Sequence, residues 1–176
     1  MPRIPTISDP SGPTRDLLEG VRKKLGMVPN MMATMAQSHA ALDGYLALST
    51  SLSKGSLDAK TREQIALAVG QANQCDYCLA AHSAIGTMVG LKPDEIDGAR
   101  RAKVADPKRA AILTLASRIV EVRGNLTNAD IAAARTAGIS DAELAEVVAN
   151  VALNIYTNYF NHIAATDVDF PKAAAI

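Results

Sequence analysis

Apolar residues recur at helical spacing along most of this sequence. Ile112, Leu115, Ala116 and Ile119 fall at i, i+3, i+4 and i+7, and Leu144, Val147, Val148, Val151 and Ile155 follow the same rhythm for a further turn. A 3.6-residue repeat puts each set on one face of a helix, and that face must be covered by a neighbour. No stretch alternates apolar and polar residues long enough to define a strand. The chain therefore reads as all-α, a set of helices packed on one another.

Local punctuation divides the pattern into about eight helices, near residues 13–25, 30–53, 58–73, 75–90, 93–102, 107–123, 127–137 and 140–165. Ser140 with Glu143 fits a capping box, and Thr127 and Asp58 suit N-cap positions. Pro93 suits a first helical turn, and Gly55, Gly90 and Gly138 fall where helices stop. With 176 residues the chain suits a single domain spanning 1–176, with an extended arm over residues 1–12 and a tail over 171–176. Either end is placed to lie across a neighbour in an assembly.

Charge narrows the function. Lys plus Arg and Asp plus Glu are 18 each, so there is no basic face for nucleic acid. The densest basic cluster, Arg100, Arg101 and Lys103, has Asp97 beside it. No apolar run is long enough for a membrane span, and the first ten residues lack the apolar core of a signal peptide. A cytoplasmic protein with no membrane partner is the expectation.

Only two cysteines occur, in the run Gln74-Cys75-Asp76-Tyr77-Cys78, and they cannot make a disulfide framework for a chain this long. At i and i+3 in a first helical turn they share a face and close a small disulfide with little motion. The helix N-terminus there favours thiolate over thiol. His82 follows Cys78 by four residues and stacks on the same face, able to take the Cys78 proton or pair with its thiolate. Glu63 lies on the preceding predicted helix, within reach of His82 if the two helices form a tight hairpin. Cys75 is then placed to attack an oxidised Cys78.

Glu63, eleven residues, Cys75-x-Tyr77-Cys78, three residues and His82 together resemble the core motif of the AhpD-like alkylhydroperoxidases of the carboxymuconolactone decarboxylase superfamily. The segment after Met27-Val28-Pro29-Asn30 resembles the family's N-terminal helices, and the run from Asn154 to His162 resembles its peroxidase-related subgroup, so the resemblance covers about residues 15–170. It implies an all-helical AhpD-like fold with the cysteine pair at the N-terminus of a central helix, and obligate homo-oligomers, trimers or hexamers. It implies a thiol-dependent peroxidase with Cys78 as peroxidatic and Cys75 as resolving cysteine, and Glu63 and His82 as proton relay. Tyr77 is the motif tyrosine. A small hydroperoxide would be the substrate, and a dithiol or a lipoyl-bearing protein the reductant. The decarboxylase branch lacks this cysteine pair, so its ring-opening chemistry is not expected.

Two other readings compete. Cys75, Cys78 and His82 are three potential zinc ligands, with a fourth to come from His39, His162 or a carboxylate. Alternatively the cysteines sense redox state in a non-enzymatic assembly protein. No Gly-rich phosphate loop, Ser/His/Asp arrangement or flavin fingerprint occurs, and the leading reading needs no cofactor and no metal. Asn150, Asn154, Asn158 and Asn161 form a polar stripe on the last helix, suited to hydrogen bonds at a subunit interface or with solvent. The sharper expectation is that Asn158, Asn161 or His162, with Tyr77, borders the thiol pocket. Glu143 precedes His162 by the same 19 residues that separate Glu63 from His82, as a duplicated helical hairpin would. The methionines, Met31, Met32, Met35 and Met88 among them, suit core or interface filling.

Overall fold

Nine helices and no strand make up the protein in a computed structural model that describes residues 1–176. They are α1 (Gly12–Leu25), α2 (Asn30–Met35), α3 (His39–Leu52), α4 (Ala59–Ala72), α5 (Asp76–Met88), α6 (Pro93–Arg100), α7 (Pro107–Glu121), α8 (Asn128–Thr136) and α9 (Asp141–Ala164). The expected caps form. Asp58 accepts from the Thr61 amide, and Thr127 with Asp130 and Ser140 with Glu143 close capping boxes. Gly90 and Gly138 adopt left-handed φ at helix ends. Gly55 differs: α3 has already ended, and the Glu146 carboxylate occupies the space a side chain there would need.

The helix expected over 30–53 is two helices. Ser38 is extended (φ −123°, ψ 114°), and its hydroxyl accepts from the Ala41 amide, so it caps α3 and ends the preceding turn. The break turns α3 against α2 and builds the wall of a cavity described below.

Helix α4 is the axis of the fold. Gln64 to Gly70 are all buried, because α5, α6, α7 and α9 pack around it. Two cores result. One joins Ile65, Leu67 and Val69 of α4 to Ile112, Leu113, Leu115, Ala116 and Ile119 of α7 and to Val147 and Val151 of α9. The other joins Leu18, Val21, Met31, Met32, Met35 and Leu42 of α1–α3 to Cys75, Tyr77, Cys78 and Ala81. The α4–α5 hairpin thus presents its cysteines to the second core while anchored in the first.

Helix α9 corrects the sequence reading. Its amides Asn150, Asn154, Asn158 and Asn161 are all buried inside the chain, and their helix-mates Val148, Tyr156, Tyr159 and Ile163 face out. Asn150 and Asn154 are satisfied by donating back to the carbonyls of Glu146 and Asn150. Val148, expected on the buried stripe, is 53% exposed, and Met88, expected as filler, is 69% exposed.

The N-terminal arm lies on its own chain. The Arg3 amide donates to the Ala164 carbonyl, the Ile7 amide to Ala33 and the Gln37 side chain to Pro5. No helix is long and apolar enough to cross a membrane.

Candidate active site

A sharp turn sets the cysteines. Helix α4 ends at Ala72, Gln74 takes a left-handed φ of 54°, and the Cys75 amide returns to the Gly70 carbonyl. Cys75 becomes the N-cap of α5, its sulfur accepting from the Cys78 amide at 3.3 Å. The two sulfurs are joined in a disulfide, and Cys75 and Cys78 are 1% and 3% exposed as residues. On reduction, the free amides and dipole of the α5 N-terminus favour negative charge at these sulfurs.

The same hairpin brings Glu63 to His82. Glu63 Oε2 lies 2.7 Å from His82 Nδ1, with the two side chains 18% and 20% exposed. A carboxylate on Nδ1 fixes the orientation of the ring and leaves Nε2 without a hydrogen bond in the chain. His82 stands one turn below Cys78 on the same face of α5.

Tyr77 is a pin rather than simple packing. Its hydroxyl donates to Asp169 Oδ1 at 2.8 Å and accepts from the Met31 amide at 3.1 Å. Asp169 Oδ2 accepts from the Asn30 amide at 2.7 Å, and Phe170 sets its ring edge-on to Tyr77 at 6.0 Å. A strap over residues 166–170 is thereby fastened across the start of α2 and the turn holding the cysteines. Burial, then the hydrogen bond to Asp169, pushes the Tyr77 phenol well above its ordinary range, so it stays a donor.

The polar stripe divides. Asn161 reaches the dithiol, its Nδ2–H donating to Cys78 Sγ at 3.4 Å. Asn158 instead accepts from Asn73 Nδ2 at 2.8 Å, bracing the end of α4, and does not line the space beside Cys78. His162 is exposed, its Nε2–H donating to the Gln74 carbonyl at 3.3 Å outside that space. The second Glu–His spacing has no counterpart in the fold. Glu143 and His162 occupy opposite ends of the single helix α9, and Glu143 pairs with Lys108 at 2.8 Å.

Two adjoining cavities meet the site. A small one lies against Cys78, Tyr77, Ala81, Asn161 and Phe170. The larger, about 560 Å³, runs between α1, α3 and α9 and reaches Glu63 and His82. They share Leu25, Met32, Tyr45, His82, Ile85 and Thr157. A space of this size suits an organic molecule of moderate size. Tyr45 is the residue that sequence reasoning missed. Burial and then the Glu63 charge push its phenol up to about 12. Its signal was the inward row Leu42, Tyr45, Leu46 and Ser49 at helical spacing. Asp169 had no such signal.

No group of three His, Cys, Asp or Glu side chains converges to hold a metal ion. Here the sulfurs are bonded to each other and His82 Nδ1 to Glu63.

Residues 36–121 match the carboxymuconolactone decarboxylase family. An uncharacterized protein of Haemophilus influenzae is 39% identical over 64 residues, 36% of this chain and 51% of that protein, so the match spans about half its length. Among solved structures, the alkylhydroperoxidase AhpD core of an uncharacterized peroxidase-related protein from Ralstonia eutropha JMP134 superposes with a TM-score of 0.83 at 26% identity, covering 94% of this chain and 93% of that one. An uncharacterized peroxidase-related protein from Silicibacter sp. TM1040 gives 0.81 at 24% identity over 94% and 92%. A variant of the debrominase Bmp8 in complex with 2,3,4-tribromopyrrole gives 0.81 at 17% identity over 95% and 91%.

Proposed function

We propose that this chain, whose residues 36–121 match the carboxymuconolactone decarboxylase family and whose fold is that of an AhpD core, is a thiol peroxidase reducing organic hydroperoxides. One observation carries the reading: the Glu63–His82 pair at 2.7 Å stands one turn from a helix-capping cysteine pair, beside an apolar cavity. In the reduced protein the Cys78 thiolate attacks the outer oxygen of the hydroperoxide and the O–O bond breaks. The departing alkoxide takes a proton from His82, held by Glu63, and leaves as the alcohol. Cys78 is now a sulfenic acid. Cys75 attacks its sulfur, water departs, and the disulfide forms. A dithiol or lipoyl-bearing reductant returns two electrons and two protons to close the cycle.

The test is steady-state turnover with several hydroperoxides and several dithiol donors. Cys78→Ser should abolish turnover and form no sulfenate. Cys75→Ser should undergo one fast oxidation and then stop. If both variants cycled normally, the mechanism would be wrong.

The size of the cavity favours a second reading. Bmp8, which shares the fold, is a debrominase. Here too a dithiol could reduce a carbon–bromine bond of a small ring, giving a C–H bond, bromide, a proton and the Cys75–Cys78 disulfide. Bromide release from a bromopyrrole in the absence of any peroxide turnover would favour it.

A further inference from the structure

One inward amide of α9 touches the sulfur on which the proposed chemistry turns. Asn161 is 4% exposed and donates its Nδ2–H to Cys78 Sγ at 3.4 Å, while its Oδ1 is buried with no partner in the chain. Buried carbonyl oxygens are normally satisfied. Three neighbouring donors are committed elsewhere, the Tyr77 hydroxyl to Asp169, Thr157 Oγ1 to the Asn154 carbonyl and His82 Nδ1 to Glu63, and the uncommitted Asn158 Nδ2 and His82 Nε2 make no hydrogen bond to this oxygen. Cys78, joined to Cys75, has no hydrogen to give. The free acceptor therefore points to a donor that arrives during the reaction.

We propose that Asn161 is a catalytic residue whose N–H stabilises the Cys78 thiolate and whose carbonyl accepts the O–H of the sulfenic acid formed there. The proposal rests on the peroxidase reading for its second half only. Oxygen transfer turns Cys78–S⁻ and a hydroperoxide into Cys78–SOH and an alcohol, with His82 supplying the proton. The new hydroxyl is the missing donor, and it forms beside the amide that already holds the sulfur. Keeping that hydrogen in place keeps the sulfenic acid neutral. Attack by Cys75 on the neutral acid expels water, whereas the sulfenate anion is the form a second peroxide oxidises to sulfinic acid.

The titration of Cys78 is set by few other groups. Those facing its cavity are His82 and Tyr77 on α5 and Tyr45 on α3, with Glu63 of α4 acting through His82 and Asp169 of the strap through Tyr77. Helices α1 and α2 contribute only apolar Leu25, Met31 and Met32, and α9 the non-titrating Thr157 and Asn161.

The experiment begins in Cys75→Ser protein, where Cys78 is the only thiol. The pH dependence of Cys78 alkylation by iodoacetamide is compared with and without Asn161→Leu. Loss of the N–H should raise the midpoint by about one unit, a roughly tenfold loss of thiolate below it. In the two-cysteine protein under excess cumene hydroperoxide, Asn161→Leu should raise the sulfinic fraction of Cys78 severalfold by intact mass. Because a buried amide is a demanding site to vary, the Asn161 side-chain amide resonances of the unsubstituted reduced protein are also followed, and they should move with the thiol titration. An unmoved midpoint, or amide resonances indifferent to that titration, would overturn the proposal. If the midpoint moves but no peroxide oxidises Cys78, the thiolate role of Asn161 stands and the peroxidase reading falls, taking the sulfenic-acid role with it.

Discussion

Replacing Tyr77 by Phe tests whether the motif tyrosine is a mechanical pin. The substitution keeps the ring and its edge contact with Phe170 but removes the hydroxyl that donates to Asp169 at 2.8 Å and accepts from the Met31 amide at 3.1 Å. A hydrogen bond to a carboxylate contributes about 1.5–3 kcal/mol, and a buried amide left unpaired costs about 1–3 kcal/mol. Asp169 keeps its bond from the Asn30 amide, so the two terms do not add in full. A net loss of about 3 kcal/mol is expected, lowering the melting temperature by roughly 6–12 °C for a chain of this length. If the strap opens locally instead, the loss appears as about a hundredfold faster hydrogen exchange at Asn30 and Met31, because 1.4 kcal/mol is tenfold. Thermal denaturation and amide exchange, run on the oxidised form at one protein concentration, distinguish the two. Unchanged melting together with unchanged exchange would refute the role given to Tyr77.

Three more outcomes follow from other parts of the molecule. Gly98→Ala gains helix propensity of about 1 kcal/mol, but its Cβ would lie 2.4 Å from the Lys103 carbonyl oxygen, an overpacking that costs about 1–3 kcal/mol. It should therefore be destabilised in urea titration, while Gly44→Ala, with nothing within 4 Å, should be stabilised; the reverse order would contradict the packing. Backbone hydrogen bonds from Ser56 and Leu57 lower the Glu146 carboxyl, and Lys108 followed by the Ser140 amide lowers that of Glu143. Both carboxyls have folded values below the unfolded one, so their stabilisation is full above the ordinary carboxyl range and is lost as pH falls through the lowered values. Glu146→Gln should flatten that acid loss, and an identical stability–pH curve would count against it. Finally, we propose that the outward row Val148, Tyr156, Tyr159 and Ile163 on α9 meets another copy of the chain. Light scattering should give a multiple of the chain mass that falls on Tyr159→Lys with Ile163→Lys, and a monomeric unsubstituted protein would dismiss it.

What was legible in the sequence was whatever depends on short-range spacing. Caps at Asp58, Thr127 and Ser140 involve neighbours three residues away, and the chemical group from Cys75 to His82 spans about two helical turns. Glu63 became legible because a helical hairpin with a tight turn leaves its partner little freedom. The break at Ser38 was not, because a serine suits both an exposed helical position and a cap, and only the packing of α3 decides. The facing of α9 was misread for a physical reason. Hydrophobic patterning assumes that amides seek water, yet here the interior supplies carbonyls, Asn73 and the Cys78 sulfur as partners. The Tyr77–Asp169 latch joins positions 92 residues apart and leaves no local trace.

The cavity has a consequence for how such a protein diversifies. Glu63, Cys75, Cys78 and His82 all lie within the family-matched stretch, residues 36–121, whereas the α1 wall from Asp16 to Leu25 and the α9 wall from Asn150 to Thr157 lie outside it. Glu63, the cysteines and His82 thus share the middle of the chain with the α3 wall, while the α1 and α9 walls come from its two ends. Varying α1 and the Asn150–Thr157 stretch of α9 while keeping Asn161 and the middle would redirect selectivity and leave the redox couple in place.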